Sequence, residues 1–158
     1  MTEQDEIFMR RAIELAQIGI DAGAGGPFGA VIVKNGEIVG EGYNQVTSTN
    51  DPTAHAEVVA IRNACRKLES FQLDECVLYA SCEPCPMCLG VIYWARPKQI
   101  FFACTHTDAA DIGFDDRFIY EEIERRIEER QIKSTNFLRD EGLAVFDNWA
   151  TKKDKTEY

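Results

Sequence analysis

The sequence predicts a three-layer α/β/α fold built around one mixed sheet. Three observations predict it: an amphipathic opening segment, a tight hairpin signal after it, and then segments that alternate between helical and extended character. The hairpin supplies an antiparallel pair and the alternation supplies parallel crossovers. Together they call for a mixed sheet with helices on both faces.

Residues 3–22 read as a helix, because Phe8, Ala12, Leu15, Ala16 and Gly19 recur at the spacing that places them on one face. Thr2 and Asp5 form a capping box at its start, and the glycine-rich stretch 23–27 ends it. Residues 28–34 are a compact apolar strand. Asn35-Gly36 is the turn that hairpins with positive φ at both central positions prefer, so 37–43 returns as the second strand. A polar loop, 44–53, is broken by Asp51-Pro52. Residues 54–68 form a helix with Val58, Ile61 and Cys65 on one face, and 76–80 form a short buried strand. Pro84 suits the first position of the next helix, which ends near residue 96 ahead of Pro97. Residues 99–104 read as another buried strand, 105–116 as a loop, and 118–131 as a charged helix whose acid–base alternation marks a solvated face. Leu143 to Phe146 suggest a short strand, and a polar tail follows. No repeat, linker or low-complexity segment interrupts this order.

Composition narrows the function. At roughly 100–200 residues per domain, 158 residues read as a single domain, 1–158. A hydrophobic share of 45% with 28% charged residues fits a packed chain rather than a disordered one. The longest apolar run, 86–95, is far below the ~18–20 residues of a membrane helix, so no membrane partner is expected. Glu3, Asp5 and Glu6 stand where a secretory leader would be basic. The formal net charge of −10 opposes binding to a phosphate backbone, which needs Lys and Arg to displace counterions. No nucleic acid partner is therefore expected.

Six cysteines lie at positions 65, 76, 82, 85, 88 and 104, three of them within the string Ser-Cys-Glu-Pro-Cys-Pro-Met-Cys. That clustering, in a chain of long periodic segments, favours a reducing, cytoplasmic setting and a metal or redox site over a disulfide scaffold. Cys65, Cys76 and Cys104 fall on apolar faces or strands and read as core. Cys82, ahead of the helix start, reads as a buried small side chain rather than a ligand.

Two short strings carry chemistry: His55-Ala56-Glu57 and Pro84-Cys85-Pro86-Met87-Cys88. Each opens a predicted helix that follows a strand, so the two helix starts can lie side by side. His55, Cys85 and Cys88 then offer three ligands to a tetrahedral zinc and leave one position open, the ligand count of a catalytic site. Helix N-termini favour the thiolate form of both cysteines. Glu57 is placed to exchange protons with a water and with a leaving nitrogen. This is the H-x-E…P-C-x-x-C pattern of zinc-dependent nucleobase deaminases, in which the glutamate is the general acid and base. The reading from another class is a zinc-stabilised thiol or binding module in which Cys82, Cys85 and Cys88 exchange disulfides and Glu57 has no part.

At these residues the sequence resembles the cytidine and deoxycytidylate deaminase superfamily, and within it the members that deaminate guanine. The likeness is densest at Gly25 to Val33, Asn50 to Arg62, Ser81 to Pro97 and His106 to Asp116, and weakest over 132–148. It implies a cytidine-deaminase-like fold, one zinc per chain, and hydrolysis of guanine to xanthine and ammonia. The resemblance further implies that Asn44 anchors the base, that Phe28 and Trp94 line the pocket, that Ala56 orients the ring through its backbone, and that Asp116 contacts the guanine edge and shuttles a proton. By itself Asn44, a polar amide at a strand end, suits a bidentate contact to a base edge. Phe28 and Trp94 would read as core without the resemblance, and Asp116 as a turn or helix cap. Tyr158, the last residue, matches a tyrosine that closes over the site, and the segment 132–158 matches one exchanged between the two protomers of a homodimer. The stretch 151–156 departs from that pattern. Guanosine, cytosine and transfer-RNA adenosine deamination are the alternatives inside the superfamily.

Overall fold

The computed structural model describes residues 1–158, which gather into two compact units, Met1–Asp116 and Arg117–Tyr158. The first holds a four-stranded sheet in the order β2-β1-β3-β4. β1 (Gly29–Lys34) runs antiparallel to both neighbours, β2 (Glu37–Tyr43) and β3 (Cys76–Cys82), while β4 (Gln99–Cys104) joins β3 in parallel. The mixed sheet expected from the sequence is therefore present. No helix in the protein is long and apolar enough to cross a membrane.

Helix α1 (Glu3–Asp21) buries Phe8, Ala12, Leu15, Ala16 and Gly19, the face that periodicity selects. Its capping box is complete: Thr2 Oγ1 accepts from the Asp5 amide at 3.2 Å, and Asp5 Oδ2 accepts from the Thr2 amide at 2.6 Å. The other Asp5 oxygen accepts the Tyr79 hydroxyl at 2.6 Å, so the cap also fastens the helix to β3. Phe8, Ala12 and Leu15 pack with Val31, Val33 and Tyr79 on one face of the sheet. The opposite face is covered by α3 (Ala56–Leu68) and α4 (Pro86–Ala95), where Ala56, Ala60, Ile61, Ala64 and Ile92 meet Ala30, Ile32, Leu78 and Ala80. In β1 and β3, odd- and even-numbered residues thus serve different cores, as the two-residue pleat requires.

Asn35 and Gly36 both have positive φ, 52° and 80°, the geometry the hairpin demands. Close approach explains another glycine. A Cβ on Gly42 would lie 2.5 Å from the Ala56 carbonyl oxygen and 2.6 Å from the Ala60 nitrogen. The row of alanines at 56, 60 and 64 can therefore lie almost directly on the β2 backbone.

Several sequence expectations are corrected. Pro86, not Pro84, takes the first helical position of α4, because β3 continues to Cys82 and Cys85 is the extended N-cap with ψ 167°. The helix expected from 54 begins at Ala56 behind His55 as N-cap. The polar loop 44–53 contains one helical turn, α2 (Val46–Thr49), and the loop 105–116 contains α5 (His106–Asp111), opened by a Thr105–Asp108 capping box. β4 is not buried. It is the sheet's edge and most of its residues are exposed, Cys104 among them, so Cys104 is not core.

The second unit contains α6 (Arg117–Glu124), a 3₁₀ turn at Ile127–Glu129 and α7 (Arg139–Thr151). The charged helix read over 118–131 stops at Glu124. Leu143 to Phe146, read as a strand, lie inside α7. Four apolar residues in a row do not distinguish the two states by periodicity, and the flanking residues settle it.

Candidate active site

One end of the sheet collects nearly every residue singled out by sequence. Since β1 runs opposite to β2 and β3, its start lies beside their ends. The Ser81 hydroxyl accepts from the Gly29 amide at 2.9 Å, tying the end of β3 to the start of β1. Phe28 precedes β1, Asn44 follows β2, and the chains leaving β2 and β3 run on to the starts of α3 and α4.

His55 and Cys85 are the N-caps of α3 and α4, and neither side chain caps its own helix. N-caps are ordinarily Ser, Thr, Asp or Asn bonded to the helix's first amides. Here both side chains turn to each other instead. His55 Nδ1 lies 3.5 Å from Cys85 Sγ and 3.4 Å from Cys88 Sγ. The three ligand atoms fall within 4.8 Å of one another. With Zn–N near 2.0–2.1 Å and Zn–S near 2.3 Å, a tetrahedral ion sets N···S at about 3.5 Å. The donor set therefore fits zinc in both chemistry and spacing, with Nδ1 as the imidazole ligand.

The charges agree. The Cys88 thiol, and after it His55, hold the Cys85 thiol down to about 4. Cys88 is pushed up, first by its bond to Cys85 and then by burial. His55 is raised, chiefly by Cys85. A dication seated among these groups would deprotonate both thiols. Glu57, at the second position of α3, is buried at 7% exposure, and burial raises its pKa more than any neighbour does. A carboxyl held so can carry a proton at a pH where an exposed glutamate cannot.

Asn44 is buried, and its Oδ1 accepts from the Gly26 and Val46 amides at 3.3 and 3.2 Å. Both lone pairs are thus engaged, which leaves Nδ2 as the donor for a further partner and removes the oxygen half of a bidentate contact. Phe28 is half-buried and meets Phe114 edge-on, with centroids 5.0 Å apart at 89°. Asp116 is raised first by burial and next by the charge on Cys85, so it lies within electrostatic reach of the cluster. Ala56 is buried at the first position of α3, where helix amides lack intrahelical partners. Trp94 is exposed rather than core. It stands near the C-terminal end of α4. Tyr158 is exposed and belongs to the second unit.

Of the remaining cysteines, Cys65 is half-buried, Cys76 is buried, and burial pushes Cys82 up to about 11. Sequence reasoning missed Phe114 and the pair His106–Glu83. Glu83 Oε2 lies 2.8 Å from His106 Nδ1 and accepts from the His106 amide at 3.1 Å. This pair links the residue ahead of the Pro-Cys-Pro-Met-Cys string to the start of α5. Only the scarcity of histidine in the chain hinted at it.

Comparison with known proteins adds three findings. A family model described as the cytidine and deoxycytidylate deaminase zinc-binding region matches residues 2–104. A guanine deaminase of Bacillus subtilis (strain 168) is 60% identical over 153 residues, covering 97% of this chain and 98% of its own. An X-ray structure of guanine deaminase from Bacillus subtilis superposes with a TM-score of 0.95 at 58% identity, covering 100% of this chain and 99% of that one. By contrast, a tRNA-specific adenosine deaminase of Aquifex aeolicus is 41% identical over only 98 residues, 62% of this chain and 64% of its own.

Proposed function

Since the chain belongs to the cytidine and deoxycytidylate deaminase family, we propose that it is the zinc-dependent aminohydrolase that converts guanine and water to xanthine and ammonia. The observation that carries this reading is the end-to-end likeness to a guanine deaminase, which includes the second unit as well as the metal site. His55 Nδ1, Cys85 and Cys88 hold the ion. Bound there, zinc acts as the Lewis acid that lets water attack near neutral pH.

The chain's own residues do the rest. Asn44 donates from Nδ2 to the base, and the Ala56 backbone and the Phe28 ring fix its plane. Glu57 takes a proton from the attacking water and passes it to a ring nitrogen. As the C2–N bond breaks, Glu57, assisted by Asp116, moves the remaining proton of the added hydroxyl to the leaving amino group, which departs as ammonia and leaves the C2 carbonyl of xanthine. The raised pKa of both carboxyls suits them to hold that proton between steps. The enzyme works in the cytoplasm, in purine breakdown or salvage, as a homodimer. Residues 132–158 are exchanged between protomers, and Tyr158 closes the partner's site. Supporting the exchange, neither α6 nor α7 buries a residue, although both carry large apolar side chains.

An ammonia-release assay with guanine, guanosine, cytosine, adenine and cytidine side by side tests the reading. Guanine is expected to be turned over fastest. Faster release from guanosine, cytosine or adenine would overturn it. The net charge of −10 already weighs against a transfer-RNA substrate.

A further inference from the structure

Cys82 and Cys104 take no part in the deamination, yet they are partners in the parallel register of β3 and β4. Adjacent strands lie about 4.7–4.9 Å apart, inside the 4.4–6.8 Å between Cα atoms that a disulfide spans. Leu78 and Ala80 share the α3/α4 core with Ile100, so the even-numbered residues of both strands point to one face, and Cys82 and Cys104 point there together. Both are free thiols at the last residue of their strands. The Glu83 amide donates to the Cys104 carbonyl at 2.8 Å and holds the strand ends together. The Cys82 thiol makes a long 3.5 Å contact to the Thr105 carbonyl. Cys104 is exposed and Cys82 is buried.

We propose that Cys82 and Cys104 form a redox-active dithiol site, separate from the zinc ligands, that reacts with low-molecular-weight disulfides and closes to an intrachain disulfide. The exposed Cys104, as thiolate, attacks one sulfur of the disulfide RSSR. A Cys104–S–S–R bond forms and RS⁻ leaves. Cys82 gives its proton to solvent, attacks the Cys104 sulfur and expels the second RS⁻. Two protein thiols are oxidised, one RSSR is reduced to two RSH, and the Cys82–Thr105 contact is given up. Zinc keeps Cys85 and Cys88 out of the exchange.

The test uses the zinc-loaded full chain incubated with excess oxidised glutathione, then alkylated, digested and read by mass spectrometry. The expected product is a Cys82–Cys104 cross-link, lighter by two hydrogens per chain, reversed by dithiothreitol, with zinc still near one per chain. Cys104→Ser, at an exposed position outside the site, should form no cross-link and keep its deaminase rate. Cys82→Ser should halt at a Cys104–glutathione mixed disulfide. A wild-type chain that stays unreacted, stops at that mixed disulfide, or instead links Cys85 to Cys88 with loss of zinc would overturn the proposal.

Discussion

The two units of this chain spend their apolar residues differently. Every buried hydrophobic side chain belongs to Met1–Asp116, where Ile32, Leu78 and Val31 are sealed between helices and sheet. In Arg117–Tyr158 the helices bury nothing, and Phe118, Ile123, Phe137, Phe146 and Trp149 stand exposed. The first unit has a core of its own and can hold the chemistry rigid. The second has the composition of a packed segment without the packing, which is what a stretch destined for a partner's surface would show.

The largest expected effect isolates the chemistry of the first unit. Glu57→Gln should lower turnover by about 10²–10⁴-fold, with zinc content and melting temperature preserved. Steady-state assays beside elemental analysis check this, and a near-normal rate would remove Glu57 from its role. Cys88→Ser should cost most of the bound zinc; unchanged metal content would refute the ligand set. The units themselves separate on stability. Leu78→Ala should cost about 2–5 kcal/mol at any protein concentration. Phe146→Ala should show its cost only where chains associate, as a weaker concentration dependence of the melting temperature. Equal and concentration-independent losses would dissolve the contrast. Ending the chain after Asp147 should shift the preference between guanine and guanosine, and an unaltered ratio would count against a closing tail.

The smallest effect concerns acid. Tyr79 holds Asp5, and Arg11 holds Glu41, below their ordinary values of 3.8 and 4.5. Carboxylates so lowered stabilise the fold fully above those ordinary values and lose the contribution as pH falls through the lowered ones. Glu41→Gln should therefore lower the urea midpoint slightly at neutral pH and flatten its drop below about pH 4.5, so that the two proteins converge in acid.

What the sequence made legible had local causes. The buried face of α1, its Thr2–Asp5 cap and the Asn35-Gly36 turn are decided by residues a few positions apart, and all three stand as read. The metal trio was legible because metal coordination restricts residue type and spacing together. The misreadings turn on distant neighbours. β4 is apolar but exposed because its place in the strand order, which no local pattern encodes, leaves it at the edge. The His106–Glu83 pair depends on a crossing between β3 and β4, and nothing near either residue announces it.

The contact of Gly42 with the first turn of α3 bears on how variants of this protein would be interpreted. Any side chain there would lift the helix from the strand and carry His55 and Glu57 with it, while Cys85 and Cys88 stayed on their own helix. Such a variant would lose zinc and turnover together. A mutational screen would then score Gly42 as a catalytic position, although it touches neither the ion nor the base.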